Sequence, residues 1–379
     1  MLKANLPFYY ENKNVLLLRV TCLFWLLAKL LSWRIWTTSR LLPAAPLFES
    51  FDHIPAAVHT GLFILSIFLL LFLLFKANKT GLIALLGVEI ILCLLDQSRL
   101  LPWEYQFIFT ILIFLINAGK PASVPACIAF LLVSTYFYGG ISKLNDDFVQ
   151  TVWNVLILKF FFRVSPGIIA QSWMHYSGYL LGIIELLAGV GLLFKNTQVR
   201  SALILIGMHL FILLLFSPVG YRGYRVLWPW NSAMILFLYF IFIKEEERIA
   251  VIQPVIVGWN KLTFIFWGIL PALSFIGYWD YNLSSNLFSG NAPKMMICVT
   301  DTSACKPLQR FCYKNNNPGT CTGQAKIDIQ NWAISETGVS AYPEMRVYKT
   351  IEAKLLKQYP AAGLTFIYFT HSDRKAGGK

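Results

Sequence analysis

The stretch STYFYGGISKLNDDF, Ser134 to Phe148, closes an apolar run with a glycine pair and then a lysine. In a helix Tyr136, Gly140 and Lys143 are spaced i, i+4 and i+7 and share one face. Gly139 and Gly140 let a second helix or a ligand come close to that face. Further along, Glu185 sits in GIIELLAGVGLLF and His209 in GMHLFILLLF. Lysine, glutamate and histidine all titrate, and an ionisable group in lipid-like surroundings is costly and marks a functional site by default. Arg19, Lys29 and Glu89 are further charges in apolar runs. LLDQSRLLPWEY supplies Asp96, Arg99 and Trp103, and RVLWPWN supplies Trp228, Pro229, Trp230 and Asn231.

Each of these residues also has a purely structural reading. Arg19 and Lys29 can snorkel or pair with a neighbouring acid. Trp228 and Trp230 can anchor a span at the membrane–water interface. His209 can hydrogen-bond a facing carbonyl, and Lys143 can reach water from a span end. Asp96 and Arg99, at i and i+3, can form an ion pair on one helix face.

The elements that position these residues are read from the rest of the chain. Of its 379 residues, 57% are hydrophobic and 13% charged, and its mean hydropathy is +0.59. A soluble domain has about a quarter of its residues charged. This is the composition of a multi-span membrane protein. Its net charge of +13 therefore points to basic residues flanking spans and meeting anionic headgroups, not to nucleic acid. The polar start MLKANLPFYYENKN carries no signal-peptide pattern, so the first apolar stretch is expected to be an uncleaved span.

A span needs about 20 mostly apolar residues. Candidates lie at 15–33, 57–76, 80–97, 104–119, 122–144, 172–194, 199–217, 228–243 and 262–279. FVQTVWNVLILKFFF, 148–162, is shorter and reads as interfacial or re-entrant. The expected class is an all-α polytopic protein of about nine transmembrane helices, residues 1–279, followed by a small external α/β domain, 280–379. With a cytoplasmic N-terminus, inner segments hold Lys3, Lys13, Lys76, Lys79, Lys120, Lys195, Arg200, Lys244, Arg248 and Lys261. Outer loops hold Arg34, Arg40, Arg99, Lys159, Arg163, Arg222 and Arg225. The excess inside sets the C-terminal part outside.

That external part reads as strand KMMICVT, amphipathic helix YPEMRVYKTIEAKLLKQYP and strand GLTFIYFTH, with Tyr348, Ile351, Leu355 and Tyr359 on one helix face. Cys298, Cys305, Cys312 and Cys321 cluster there at spacings of seven, seven and nine. These spacings differ from the short paired spacings of zinc sites, so no metal is expected and the four cysteines are disulfide candidates in an oxidising compartment. Cys22, Cys93 and Cys127 read as small hydrophobes within spans. In this topology Asp96, Arg99, Lys143 and Asn231 all fall near outer span ends, with Glu185 and His209 somewhat deeper, as around a cavity that opens outward.

YFYGGISKLNDDF resembles the lysine-bearing helix of the vitamin K-dependent gamma-glutamyl carboxylases and of the wider horizontally transferred transmembrane (HTTM) family. IIELLAGVGLLF, His209 and the LLD ending at Asp96 continue the resemblance in order over about 80–243. ELLAGVGLL is also similar to DoxX-type membrane proteins, which are linked to redox and quinone chemistry. The carboxylase resemblance implies that Lys143 acts as the base toward a hydroquinone cofactor, with Glu185 and His209 orienting groups or tuning charge. Tyr136, Gly140, Asp96, Arg99, Trp103, Trp228, Trp230 and Asn231 would then surround the cofactor. Burial would bring a lysine toward its neutral, basic form.

The chain also departs from the carboxylases. They carry Asn-Asn-His after the matching aspartate, where this chain reads SRLLPWEY. They have adjacent lysines, where Ser142 precedes Lys143 here, and a large lumenal region, where about a hundred residues follow the spans here. These differences mark a distinct bacterial branch, placed in the inner membrane with a periplasmic C-terminal domain. Three readings stand: a quinol-dependent carboxylase-like enzyme, a DoxX-like quinone or redox subunit, and a non-enzymatic accessory protein for export or maturation. Expected partners are membrane lipid and a secreted or membrane protein, with no nucleic acid.

Overall fold

The computed structural model describes residues 12–218, 220–221, 224–244, 247–314, 321 and 324–369. The expected inner Lys3, the outer Arg222, most of the polar N-terminal stretch, and Thr370 and His371 of the last expected strand lie outside the described residues.

The protein is mostly helical. In chain order the main helices are α1 (Asn12–Leu31), α2 (Ala56–Phe75), α3 (Lys79–Leu95), α4 (Pro102–Ile116), α5 (Val124–Ser142), α6 (Tyr179–Gly191), α7 (Gln198–Leu215) and α8 (Leu227–Leu238). Two more, α9 (Ile329–Thr337) and α10 (Met345–Gln358), follow. Prolines in the first turns of α4 and α5 mark their starts, where a missing N–H costs nothing. A helical turn ends the 262–279 stretch at Gly277, whose φ of 79° is left-handed.

Each expected span is helical over most of its length. Among the described residues five helical stretches are long and apolar enough to cross a membrane: Lys13–Leu31, Ala56–Phe75, Pro121–Ser142, Gln198–Leu215 and Gly258–Ile276. Pro102–Ile116 and Leu227–Ile243 are shorter apolar helices. The stretch read as interfacial forms a π-helical run, Val149–Phe161.

The chain divides into two compact units. The first comprises 1–30, 64–90 and 101–290, and the second 31–63, 91–100 and 291–379. In the first, α5 is buried along nearly its whole length. It packs along α6 at a glycine seam. A Cβ on Gly140 would lie 2.6 Å from Leu186 N and 2.8 Å from Gly182 O, so only glycine admits this approach.

The second unit holds a four-stranded antiparallel sheet ordered β2 (Tyr313–Lys314), β3 (Ala325–Asp328), β1 (Lys294–Val299), β4 (Leu364–Phe369). Ile297 of β1 faces Ile327 on one side and Phe366 on the other. The core beneath joins Ile297 and Ile327 to Trp332 of α9 and to Tyr348, Ile351 and Leu355 of α10, with Leu42 and Ala45 from the early segment. The face expected on α10 is thus its buried face, and Tyr359 packs at its margin. Asp328 caps α9 by accepting from the Gln330 and Asn331 N–H groups. Glu336 at its far end accepts from Leu41 N at 2.7 Å, Leu42 N at 2.9 Å and Trp332 Nε1 at 2.9 Å.

Cysteine pairing is narrower than the spacing suggested. Cys298 and Cys321 form a disulfide, while Cys305 and Cys312 are free thiols. The physical reason is local: each Sγ turns to a backbone carbonyl of its own turn, Cys305 to Asp301 O and Cys312 to Leu308 O. Burial pushes both thiols up from their ordinary range. Cys22, Cys93 and Cys127 are buried, as expected of small apolar residues.

Candidate functional site

Six of the residues singled out in the sequence line one cavity of about 340 Å³ in the first unit: Lys143, Glu185, Tyr136, His209, Trp230 and Asn231. Four helices position them. α5 presents Tyr136 and ends at its C-cap residue Lys143, α6 presents Glu185, α7 presents His209 and α8 presents Trp230 and Asn231. The π-helical run contributes Val152, Leu156 and Ile157, and the 285–288 loop contributes Ser285, Leu287 and Phe288. Ser285 and Phe288 both hold a left-handed backbone with φ of 56°, a conformation that costs about 1–3 kcal/mol in non-glycine residues.

Two polar sets face this apolar space. Lys143 Nζ donates to Glu185 Oε2 at 2.7 Å and to Gly139 O at 3.0 Å. The two side chains are 16% and 9% exposed, so the pair is nearly dry yet reachable from the cavity. An ammonium has three donors, and these bonds engage two, leaving one N–H for a ligand oxygen. The glycine pair makes the contact possible: a Cβ on Gly139 would stand 2.7 Å from Glu185 Oε1.

The second set is a chain of three side chains. Asn231 Nδ2 donates to Leu227 O at 2.7 Å, which turns its Oδ1 toward His209 Nδ1, also at 2.7 Å. An amide oxygen only accepts, so Nδ1 carries the proton and Nε2 is left as an acceptor. Tyr136 Oη lies 2.8 Å from that Nε2 and donates to it. The tyrosine oxygen therefore keeps its lone pairs for the cavity. His209 bonds two side chains, where the structural reading had anticipated a carbonyl. Trp230 is fixed by its Nε1, which donates to Gln106 Oε1 at 2.8 Å.

The other expected site residues lie elsewhere. Gly140 belongs to the seam with α6 and does not line the cavity. Trp228 is 42% exposed and donates to Phe216 O at 3.0 Å, as an anchor would. Trp103 is buried on α4 and is not among the lining residues.

Asp96 and Arg99 belong to the second unit. α3 ends at Leu95, and Asp96 caps the following turn through Ser98 N at 3.1 Å while also accepting from Ala45 N at 3.0 Å and from Arg40. Arg99 donates to the carbonyls of Ile35, Leu92 and Trp36 and contacts His59 Nδ1. Asp96 and Arg99 come within 3.9 Å of one another. Arg99 ties the short helix Trp33–Trp36 to the end of α3, because a buried guanidinium can satisfy several carbonyls at once. Burial alone would raise the Asp96 carboxyl, but Arg40, Arg99 and the two backbone N–H groups outweigh it and hold it below the usual carboxylate range.

Sequence reasoning missed Gln106, the π-helical wall and the 285–288 loop. Gln106 carried a weak signal as an amide in an apolar run. The loop carried none, because an irregular segment has no periodicity. Among the described residues no cluster of three or more histidine, cysteine or acidic side chains has metal-binding geometry. No family model matches the chain, and neither a curated protein nor a solved structure matches it.

Proposed function

We propose that the protein is an integral membrane protein that takes a quinone or quinol into the cavity beside Lys143 and works on it by proton transfer. The observation that carries this reading is the composition of the cavity. A mostly apolar wall meets one ion pair and one hydrogen-bonded Tyr–His–Asn chain, which is how sites for apolar ligands with a polar head are built. The donor set fits the group. The remaining N–H of Lys143 suits a ligand oxygen, Tyr136 Oη suits a ligand hydroxyl, and the side chains of Leu156, Ile184 and Met208 suit a ring and its apolar tail. A bound quinol supplies two electrons and two protons. The chain's own residues supply the places for a proton to go. Lys143 can pass one to Glu185, and Tyr136 can pass one to His209 Nε2, the atom left basic by the Asn231 bond. Glu185 and His209 thus position and receive, while Lys143 and Tyr136 meet the ligand.

The carboxylase-like reading is one use of such a site, with Lys143 as base. The nine-span topology with cytoplasmic N-terminus and external C-terminal unit, in a bacterial inner membrane, is the placement proposed with it. The test is lipid extraction and mass spectrometry of purified protein, wild type beside Lys143→Ala. Co-purification of a quinone with wild type and its loss from the variant supports the proposal. Absence of quinone from both folded proteins rejects it.

A further inference from the structure

A second polar cluster lies in the first unit, made of Lys29 on α1, Ser66 on α2, Glu89 on α3 and Glu104 on α4. All four side chains are fully buried. Lys29 Nζ donates to Glu89 Oε2 at 2.6 Å, and Ser66 Oγ donates to Glu89 Oε1. Both oxygens of Glu89 therefore accept, as a carboxylate requires. Glu104 differs. Its Oε2 accepts from Trp25 Nε1 at 2.6 Å, but its Oε1 has no hydrogen-bond partner and stands 3.7 Å from Lys29 Nζ. Glu104 also lies within hydrogen-bond reach of Glu89.

Charge and hydrogen bonding lead to the same arrangement. One ammonium and two carboxylates would leave a net negative charge with no exposure to water, which a buried site tolerates poorly. Two carboxyl oxygens bond one another only when one carries a proton. Every other carboxyl oxygen in the cluster already accepts from a donor. We infer that Glu104 and Glu89 form a proton-binding site, with the proton on Glu104 Oε1, Glu89 as its carboxylate partner and Lys29 as the fixed counter-charge. Trp25, whose ring also lies under Lys29 Nζ at 5.7 Å, holds the Glu104 head in place. The site is independent of the quinone reading, since none of its residues lines the cavity beside Lys143.

Infrared spectroscopy of the full-length protein in detergent, in H2O and in D2O, tests this directly. At neutral pH the wild type is expected to show a protonated-carboxyl stretch that shifts on deuteration and is absent from Glu104→Gln. Glutamine is a neutral isostere of the protonated acid and needs no proton uptake on folding, so this variant is expected to melt at or above the wild-type temperature at neutral pH, whereas Glu89→Gln, which removes the partner of Lys29, lowers it. The native state here binds one more proton than the unfolded chain at neutral pH, so wild-type stability falls relative to Glu104→Gln as pH rises. The absence of a protonated-carboxyl band from the wild type, its survival in Glu104→Gln, failure of Glu104→Gln to fold, or parallel pH–stability curves would each overturn the assignment.

Discussion

Lys143 Nζ and Glu185 Oε2 meet at 2.7 Å across α5 and α6, and the bond exists because neither residue 139 nor residue 140 carries a Cβ that would hold the helices apart. Removing one partner leaves a nearly buried charge alone, which costs about 3 kcal/mol in a dry setting. Lys143→Met is therefore expected to destabilise the protein by about that amount, or less given its residual exposure. The double variant Lys143→Met with Glu185→Gln should recover much of the loss. Thermal unfolding of the four proteins in one detergent gives the coupling, and simple additivity would mean the pair contributes nothing.

The seam beneath the pair makes a second prediction. An added methyl at Gly140 would meet the Leu186 and Gly182 backbone, which cannot swing aside as a side chain can. Gly140→Ala is expected to cost about 1–3 kcal/mol by forcing α5 and α6 apart, and to weaken the Lys143–Glu185 contact with it. Gly207 on α7 has nothing within 4 Å of the same methyl. There the change to alanine should be neutral or stabilising by up to about 1 kcal/mol. Melting temperatures of the two single variants decide the matter.

The i, i+4, i+7 spacing of Tyr136, Gly140 and Lys143 was enough to place all three on one flank of α5, because helical period is written in sequence. Their division of labour was not legible: Tyr136 and Lys143 line the cavity, while Gly140 faces the neighbouring helix. Glu185 and His209 stood out as charges in apolar runs, and both line the cavity. Asp96 and Arg99 stood out on the same grounds, yet their partners are backbone carbonyls, backbone N–H groups and Arg40, groups that any local pattern leaves invisible. Lys29 pairs with Glu89, 60 residues away, which a reading of single spans could only leave open. The pairing of Cys298 with Cys321, leaving Cys305 and Cys312 free, depended on where each turn aims its thiol.

Asn231 fixes the proton of His209, and His209 in turn orients the Tyr136 hydroxyl. Tyr136→Phe removes the hydroxyl proposed to meet a ligand oxygen and leaves His209 Nε2 without its donor. The loss of one such hydrogen bond is about 1 kcal/mol, so affinity for a short-chain quinone is expected to fall roughly fivefold. Asn231→Leu should produce a similar fall by freeing the ring. Quenching of tryptophan fluorescence, with Trp230 in the cavity wall, measures both. Unchanged affinity in Tyr136→Phe would place the ligand away from this wall.

Asp96 gives a prediction in pH. Its carboxyl is fully buried and is held below the ordinary range by Arg40, Arg99 and the N–H groups of Ala45 and Ser98, which together exceed the upward push of burial. The unfolded chain therefore takes up the proton first as pH falls. The contribution of Asp96 is complete above its unfolded value, about 3.9, and is lost as pH drops from there through the lower folded value. Asp96→Asn abolishes this carboxylate at every pH and is expected to destabilise the second unit by about 3 kcal/mol at neutral pH. The variant and the wild type should then converge at strongly acid pH, where both carry a neutral side chain. Acid unfolding followed through the near-ultraviolet signal of Trp332 and its aromatic neighbours reads this out. A constant gap between the two proteins at all pH values would mean that the charge of Asp96 contributes nothing, and that only the shape of its hydrogen bonds holds the loop.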